Sequence, residues 1–376
     1  MQYRSFGKLG ITGSAFGLGC MRFNGAASGD SVIDEEKAIS LIRHAIDGGV
    51  TYLDTAYVYL DRTSETILGK ALTDGYRDKV MIATKMPIDY VHSREDMEAL
   101  FNEELRKLQT DHIDFYLMHG IRKERWEQFK AIGAPEFFEE LKQAGKIRYK
   151  CFSFHGPYED FEEIITSYDW DMCQIQYNFM DINNQAGTKG LELAGRLGIP
   201  VVIMEGLLGG RLAKAPANVQ ALYDAFPVKR SPVEWAFRWL CNRPEVATVL
   251  SGCNELEQID ENLRIFDTVA PGIMSQDELD LMEQVRMAYL SRTKIDCTGC
   301  RYCMPCPNGV NIPGIFSAWN RVSLYDLDPK AEDHLRQVIS KDEGAGHCIA
   351  CGACEAACPQ HLSIIESLQS AWKELT

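Results

Sequence analysis

Eight of the thirteen cysteines lie between Cys297 and Cys358. Cys297, Cys300, Cys303 and Cys306 form C-x2-C-x2-C-x2-C, closed by Pro307. Cys348, Cys351, Cys354 and Cys358 form C-x2-C-x2-C-x3-C, closed by Pro359. Thiolates three residues apart wrap the chain around one corner of a cube and offer three sulfurs to three irons. Zinc sites also use paired C-x2-C units, but two pairs supply all four of their ligands. A third cysteine at the same spacing, followed by Cys-Pro, exceeds that need. The pattern predicts that all eight thiolates ligate iron, in two [4Fe-4S] clusters.

A second set of reactive types is spread over the first third of the chain. Asp54, Lys85 and His119 each close a short apolar run, and Tyr59 follows Asp54 by five residues. A free tyrosine has a pKa of about 10, too high for easy proton exchange at neutral pH. An ammonium beside it stabilises the phenolate, and an aspartate beside the ammonium keeps that charge in place. A histidine can hydrogen-bond and orient a substrate oxygen. Taken singly, these residues could be a helix cap, a surface aromatic, a solvated strand end and a core histidine. Four suitable types at the ends of consecutive strands predict proton-transfer chemistry.

The elements that must carry these groups alternate. Strand candidates are 15–19, 51–54, 80–85, 113–119, 148–153, 172–176, 200–205 and 247–251. Between the first two, Ala38, Leu41, Ile42, Ala45 and Ile46 form one apolar helical stripe. Asp34, Glu35 and Glu36 place negative charge at its start, where the helix dipole favours it. Met97, Leu100, Phe101, Leu105 and Leu108 repeat the pattern. Eight strand–helix units in about 250 residues predict an α/β fold, a (β/α)8 TIM barrel, with its chemistry at the C-terminal ends of the strands. An open doubly wound sheet is disfavoured, because no G-x-G-x-x-G follows the first strand. Gly7-Lys8-Leu9-Gly10 predicts an N-terminal hairpin placed to plug the barrel bottom. The barrel is expected over residues 1–290. A small, mostly α-helical domain is expected over 291–376, with Asn311 and Ser363 as N-caps.

Over roughly residues 1 to 290 the chain resembles the aldo/keto reductase family. The likeness rests on Leu53-Asp54-Thr55-Ala56-Tyr57-Val58-Tyr59, Ser64–Leu72, Ala83-Thr84-Lys85 and Ile113–His119. The resemblance implies Tyr59 as proton donor, with Lys85, Asp54 and His119 completing a tetrad. It implies NADPH or NADH as cofactor and a carbonyl or alcohol small molecule as substrate. By the same resemblance Ser153 and Gln174 would hold the nicotinamide carboxamide. Met204 would stand where the family stacks a tyrosine on the ring. Ser251, Gln258 and Asn262 would line the adenosine-phosphate loop, whose usual lysine and arginine are absent. Gly209 and Arg211 would approach a phosphate. The second cysteine run resembles that of bacterial ferredoxins. The long, helical gap between the two runs resembles the α-helical ferredoxin-like domains of respiratory reductase subunits. That likeness implies crossed ligation: Cys297, Cys300, Cys303 and Cys358 on one cluster, Cys348, Cys351, Cys354 and Cys306 on the other.

The net charge of −15 disfavours nucleic acid and anionic membrane surfaces as partners. No run approaches the roughly 18 apolar residues of a spanning helix, and no signal core opens the chain. A cytoplasmic location is therefore expected, and there thiols stay reduced. Hydride transfer moves two electrons and a cluster moves one. A flavin usually links the two, though no flavin motif is present. An oxidoreductase that exchanges electrons with a ferredoxin or flavodoxin-like carrier is the expected function. The alternatives are an electron-transfer or redox-sensing module and a cluster-fed reductase without nicotinamide. His155 could line the pocket or merely sit on a loop. Trp126 could shape a substrate site, but reads more readily as part of a solvated helix.

Overall fold

The computed structural model describes residues 1–23 and 33–376. It forms two compact units, Met1–Gly210 with Val233–Leu279, and Arg211–Pro232 with Asp280–Thr376.

In the first unit, β1 (Tyr3–Ser5) and β2 (Thr12–Ser14) pair antiparallel. Eight parallel strands close a barrel: β3 (Phe16–Gly19), β4 (Tyr52–Asp54), β5 (Met81–Pro87), β6 (Ile113–Ile121), β7 (Ile147–Phe154), β8 (Met172–Gln176), β9 (Val201–Met204) and β10 (Val246–Ser251). β10 pairs with β3 to complete the circle. All eight expected strands are present, most with ends shifted by one or two residues. β9 stops before Glu205, whose φ of +58° turns the chain out of the extended region.

The helix Glu35–Asp47 buries Ala38, Leu41, Ile42, Ala45 and Ile46, the stripe expected from their spacing. Its N-cap Asp34 accepts from the Lys37 amide at 2.9 Å. The helix Arg94–Leu108 starts in the same way, with Ser93 accepting from the Asp96 amide.

The hairpin turn at Gly7–Leu9 lifts Phe6 into the barrel interior, where it is fully buried. Its ring lies 5.8 Å from that of Tyr52 and 5.5 Å from that of Phe115. Gly7 has φ +48°, and a Cβ there would come within 2.6 Å of the Gly198 carbonyl oxygen. A side chain at that position would push the plug out of its seat.

The second unit is helical, built on Ile312–Tyr325, Asp333–Ser340 and Ile364–Leu375. Ile315, Phe316, Leu335, Val338, Leu368 and Ala371 form its core. Asn311 caps the first of these helices, accepting from the Gly314 amide at 3.1 Å. Ser363 precedes the last helix but makes no side-chain cap bond, so only one of the two expected caps forms. Among the described residues, no helix is long and apolar enough to cross a membrane.

Candidate active site and cysteine cavities

The four expected catalytic residues meet at the C-terminal end of the barrel. Asp54 closes β4, Lys85 lies in β5, His119 lies near the end of β6, and Tyr59 sits on the loop after β4. Lys85 Nζ donates to Asp54 Oδ1 at 2.7 Å, to the Thr55 carbonyl at 2.6 Å and to the Tyr59 hydroxyl at 3.2 Å. Those three acceptors match the three protons of an ammonium. The Thr55 carbonyl was not foreseen; backbone acceptors leave no mark in residue types. The rings of Tyr59 and His119 meet edge to face, 5.9 Å apart.

The electrostatics revise one expectation. Burial raises the Tyr59 phenol, and Lys85 pulls it back only in part, so its net direction is upward. Lys85 does not make the phenol acidic; it limits how far burial raises it. The proton stays on Tyr59, as a donor requires. Lys85 is 1% exposed, and burial alone would lower it. Asp54 and Tyr59 outweigh that and hold it above the ordinary lysine range. Burial raises Asp54, against the pull of Lys85. His119 falls to about 3 through burial, then through Lys85, His155 and Arg125. That direction favours the neutral imidazole.

The expected cofactor contacts are less uniform. Ser153, in β7, accepts from the Gly120 amide at 2.8 Å. Gln174, in β8, reaches Met204 Sδ with its amide nitrogen at 3.8 Å. Its Oε1 is buried with no hydrogen-bond partner among the described residues. Asn262 Nδ2 donates to Ser251 Oγ at 3.1 Å and to Cys253 Sγ at 3.2 Å. Gln258 Oε1 accepts from the Asn254 amide at 3.0 Å. Gly209 takes φ +66° in the loop after β9. Arg211 belongs to the second unit.

Other residues differ from their sequence reading. Trp126 is core rather than a solvated surface group, 2% exposed and 5.4 Å from the Trp170 ring. Glu205, which the sequence did not single out, carries a charge that acts on both Tyr59 and His155.

In the second unit the cysteines line two cavities. One is walled by Cys297, Cys300, Cys303 and Cys358. The other is walled by Cys306, Cys348, Cys351 and Cys354, and Cys303 reaches it as well. In each, three cysteines of one run meet the last cysteine of the other. Among the described residues, no group of three or more His, Cys, Asp or Glu side chains is positioned to hold a single metal ion.

Comparison with known proteins agrees with this layout. Residues 15–285 match the aldo/keto reductase family model, and residues 296–363 match a 4Fe-4S dicluster domain. The chain is 38% identical over 184 residues to aldo-keto reductase YhdN of Bacillus subtilis; the match covers 43% of this chain and 55% of the relative's length. It is 26% identical over 294 residues to the uncharacterized oxidoreductase YqkF of the same organism, covering 70% of this chain and 90% of the relative. The solved structure of aldo-keto reductase AKR11C1 from Bacillus halodurans, in its holo form, superposes with a TM-score of 0.64 at 25% identity, over 76% of this chain and 96% of that one. An aldo-keto reductase from Klebsiella pneumoniae, solved in complex with NADPH, shares the fold with a TM-score of 0.59 at 22% identity, over 76% and 96%. With its closed eight-stranded barrel and a family match over most of its length, the chain belongs to the aldo/keto reductase family and is an oxidoreductase carrying a C-terminal 4Fe-4S dicluster domain.

Proposed function

We propose that the barrel interconverts a small carbonyl and its alcohol with NADPH or NADH, and that residues 291–376 hold two [4Fe-4S] clusters exchanging electrons with an outside carrier. The observation that carries the barrel's part is the Lys85 ammonium spanning Asp54, the Thr55 carbonyl and the Tyr59 hydroxyl. Tyr59 gives its proton to the substrate oxygen as a carbonyl is reduced and takes it back in the reverse direction. Lys85, fixed by Asp54, stabilises the phenolate left behind. His119, neutral, orients the substrate oxygen by a hydrogen bond.

Gln174 Oε1, buried and unpartnered, supports a carboxamide-holding role beside Ser153. Ser251, Gln258 and Asn262 would meet the adenosine end, and Met204 would lie against the ring. A bound nicotinamide supplies or accepts the hydride. Cys297, Cys300, Cys303 and Cys358 would hold one cluster, and Cys306, Cys348, Cys351 and Cys354 the other. The crossed lining of the two cavities supports this pairing. Bound clusters supply one-electron steps. Free thiolates of this kind need the reducing conditions of the cytoplasm.

Anaerobic purification with joint measurement of iron, sulfide, zinc and flavin tests the second domain. Zinc in place of iron would overturn its reading. For the barrel, NAD(P)H oxidation with small carbonyls should proceed in the wild type and nearly vanish in Tyr59→Phe. Equal turnover in both would end the tetrad assignment.

A further inference from the structure

The loop that carries Tyr59 is bent in a way few sequences tolerate. Leu60, Asp61 and Arg62 take φ of +51°, +50° and +69° in succession. In this left-handed region the Cβ crowds the following carbonyl oxygen, so such residues normally occur singly. Among the described residues, no other adjacent pair bearing side chains shares this conformation. The result is a tight left-handed turn. The Thr63 amide closes it on the Leu60 carbonyl at 3.0 Å, and the Ser64 amide on the Tyr59 carbonyl at 3.3 Å.

Backbone strain persists only where surrounding contacts hold it. The far end of the turn is fixed by Ser64, which is buried and donates its hydroxyl to the Cys20 carbonyl at 2.7 Å. The middle is held by Arg62. Its guanidinium lies 4.5 Å from the centre of the Tyr57 ring and 5.8 Å from that of Tyr90. Nη2 donates to the Tyr57 hydroxyl and stands 3.3 and 3.4 Å from the two Glu103 carboxylate oxygens. The Tyr57 hydroxyl gives its own hydrogen to Glu103 at 3.0 Å, so its oxygen is left to accept from Arg62. The platform beneath the guanidinium is firm. Tyr57 is buried, its ring meets Tyr90 edge to face at 5.4 Å, and Lys107 lies 3.3 Å from Glu103. The near end of the turn is Tyr59. Its hydroxyl is 3.2 Å from Lys85 Nζ, the longest of the three bonds that the ammonium makes and the one with least room to stretch.

We infer that Arg62 is a positioning residue for Tyr59: it pins a strained left-handed turn against Tyr57, Tyr90 and Glu103, and so keeps the phenol on the Lys85 ammonium. This rests on the proton transfer proposed for Tyr59 and names what holds the donor in place. Without the pin, Leu60 and Asp61 relax toward negative φ and shift the backbone from which Tyr59 hangs. Glycine has no Cβ to crowd the carbonyl, so a turn with glycine at both positions stays left-handed without help. Strain, rather than lost bulk or charge, is therefore what a glycine pair repairs.

The test uses full-length protein purified anaerobically, as wild type, Arg62→Ala, and Arg62→Ala combined with Leu60→Gly and Asp61→Gly. The Arg62 side chain is 45% exposed, so its removal should leave the fold intact, as circular dichroism would show. Carbon NMR of tyrosine labelled at the hydroxyl-bearing ring carbon, with Tyr59→Phe to assign the signal, needs no turnover. The Tyr59 signal should move in Arg62→Ala and return in the triple variant. With NADPH or NADH and small carbonyls, kcat should fall about tenfold in Arg62→Ala, the rate equivalent of one cation–π contact, with KM little changed. It should recover in the triple variant. A Tyr59 signal that stays still in Arg62→Ala overturns the assignment. So does a loss of kcat that the glycine pair fails to restore. If wild type oxidises neither cofactor with any carbonyl while the Tyr59 signal still moves and returns, the pin stands and the carbonyl chemistry proposed for the tetrad falls.

Discussion

The two reactive regions of this chain are built in opposite ways. The cysteine region draws its proposed ligands from two short runs, and residue spacing alone points to them. The barrel mouth takes one group from each of several strands, and the spacings between Asp54, Lys85 and His119 are meaningless until the strands lie side by side. β4 pairs with β5 in register from Tyr52–Met81 to Asp54–Ala83, and β5 pairs with β6 up to Pro87–His119. That register brings Asp54 and Lys85 to 2.7 Å across some thirty residues of sequence and sets His119 on the next strand. A cluster site is thus written locally and a barrel site topologically. The first should fail one thiolate at a time; the second should fail wherever the buried charges lose balance.

The largest expected effect tests the local side of this contrast. Cys358→Ser should empty the site shared with Cys297, Cys300 and Cys303 and leave the other filled. Iron and sulfide content would then fall by about half. Loss of iron from the Cys348–Cys354 run instead would break the crossed pairing.

Next comes Tyr59→Phe. Removing a general acid of this kind costs about 100- to 10,000-fold in rate. Steady-state kinetics should show the loss in kcat, with folding unchanged by circular dichroism.

Lys85→Met sharpens the topological side. It strands the Asp54 carboxylate, whose Oδ2 has no partner among the described residues, in a buried site. Removing one member of a buried pair destabilises by about 3–5 kcal/mol. Denaturant unfolding should show this, and Lys85→Met with Asp54→Asn should recover most of it. A single variant as stable as wild type would mean that the pair is not a buried ion pair.

The smallest effect is acid sensitivity. His119 titrates near 3 when folded and near 6.5 when unfolded. Between those values the unfolded chain binds a proton that the folded chain refuses, so stability falls as pH drops through that window. His119→Gln should remove part of this slope, about 1–2 kcal/mol between pH 7 and pH 4. Parallel stability curves for the two proteins would place His119 in a more hydrated setting.

Much of the fold was legible because the barrel repeats one pattern eight times, and each repeat needs only an apolar run and a striped helix. What escaped notice depended on packing at a distance. Trp126 sits in a polar stretch, yet Trp170 and Tyr168 enclose it. Arg211–Pro232 folds with the second unit, a grouping that no local signal marks. The tetrad residues could be picked out as types at strand ends, but the balance at Tyr59 could not. It depends on burial as much as on the lysine beside it. The hydrogen bonds that run from His155 through Gln185 and Gln176 to Asp181 were hidden for another reason: two of the links are uncharged amides, and amides are common on any surface.

The Phe6 stopper makes the barrel a vessel with one mouth. Nothing can pass through it. One aromatic ring on a hairpin thus seals the end of the barrel opposite Asp54, Lys85 and His119.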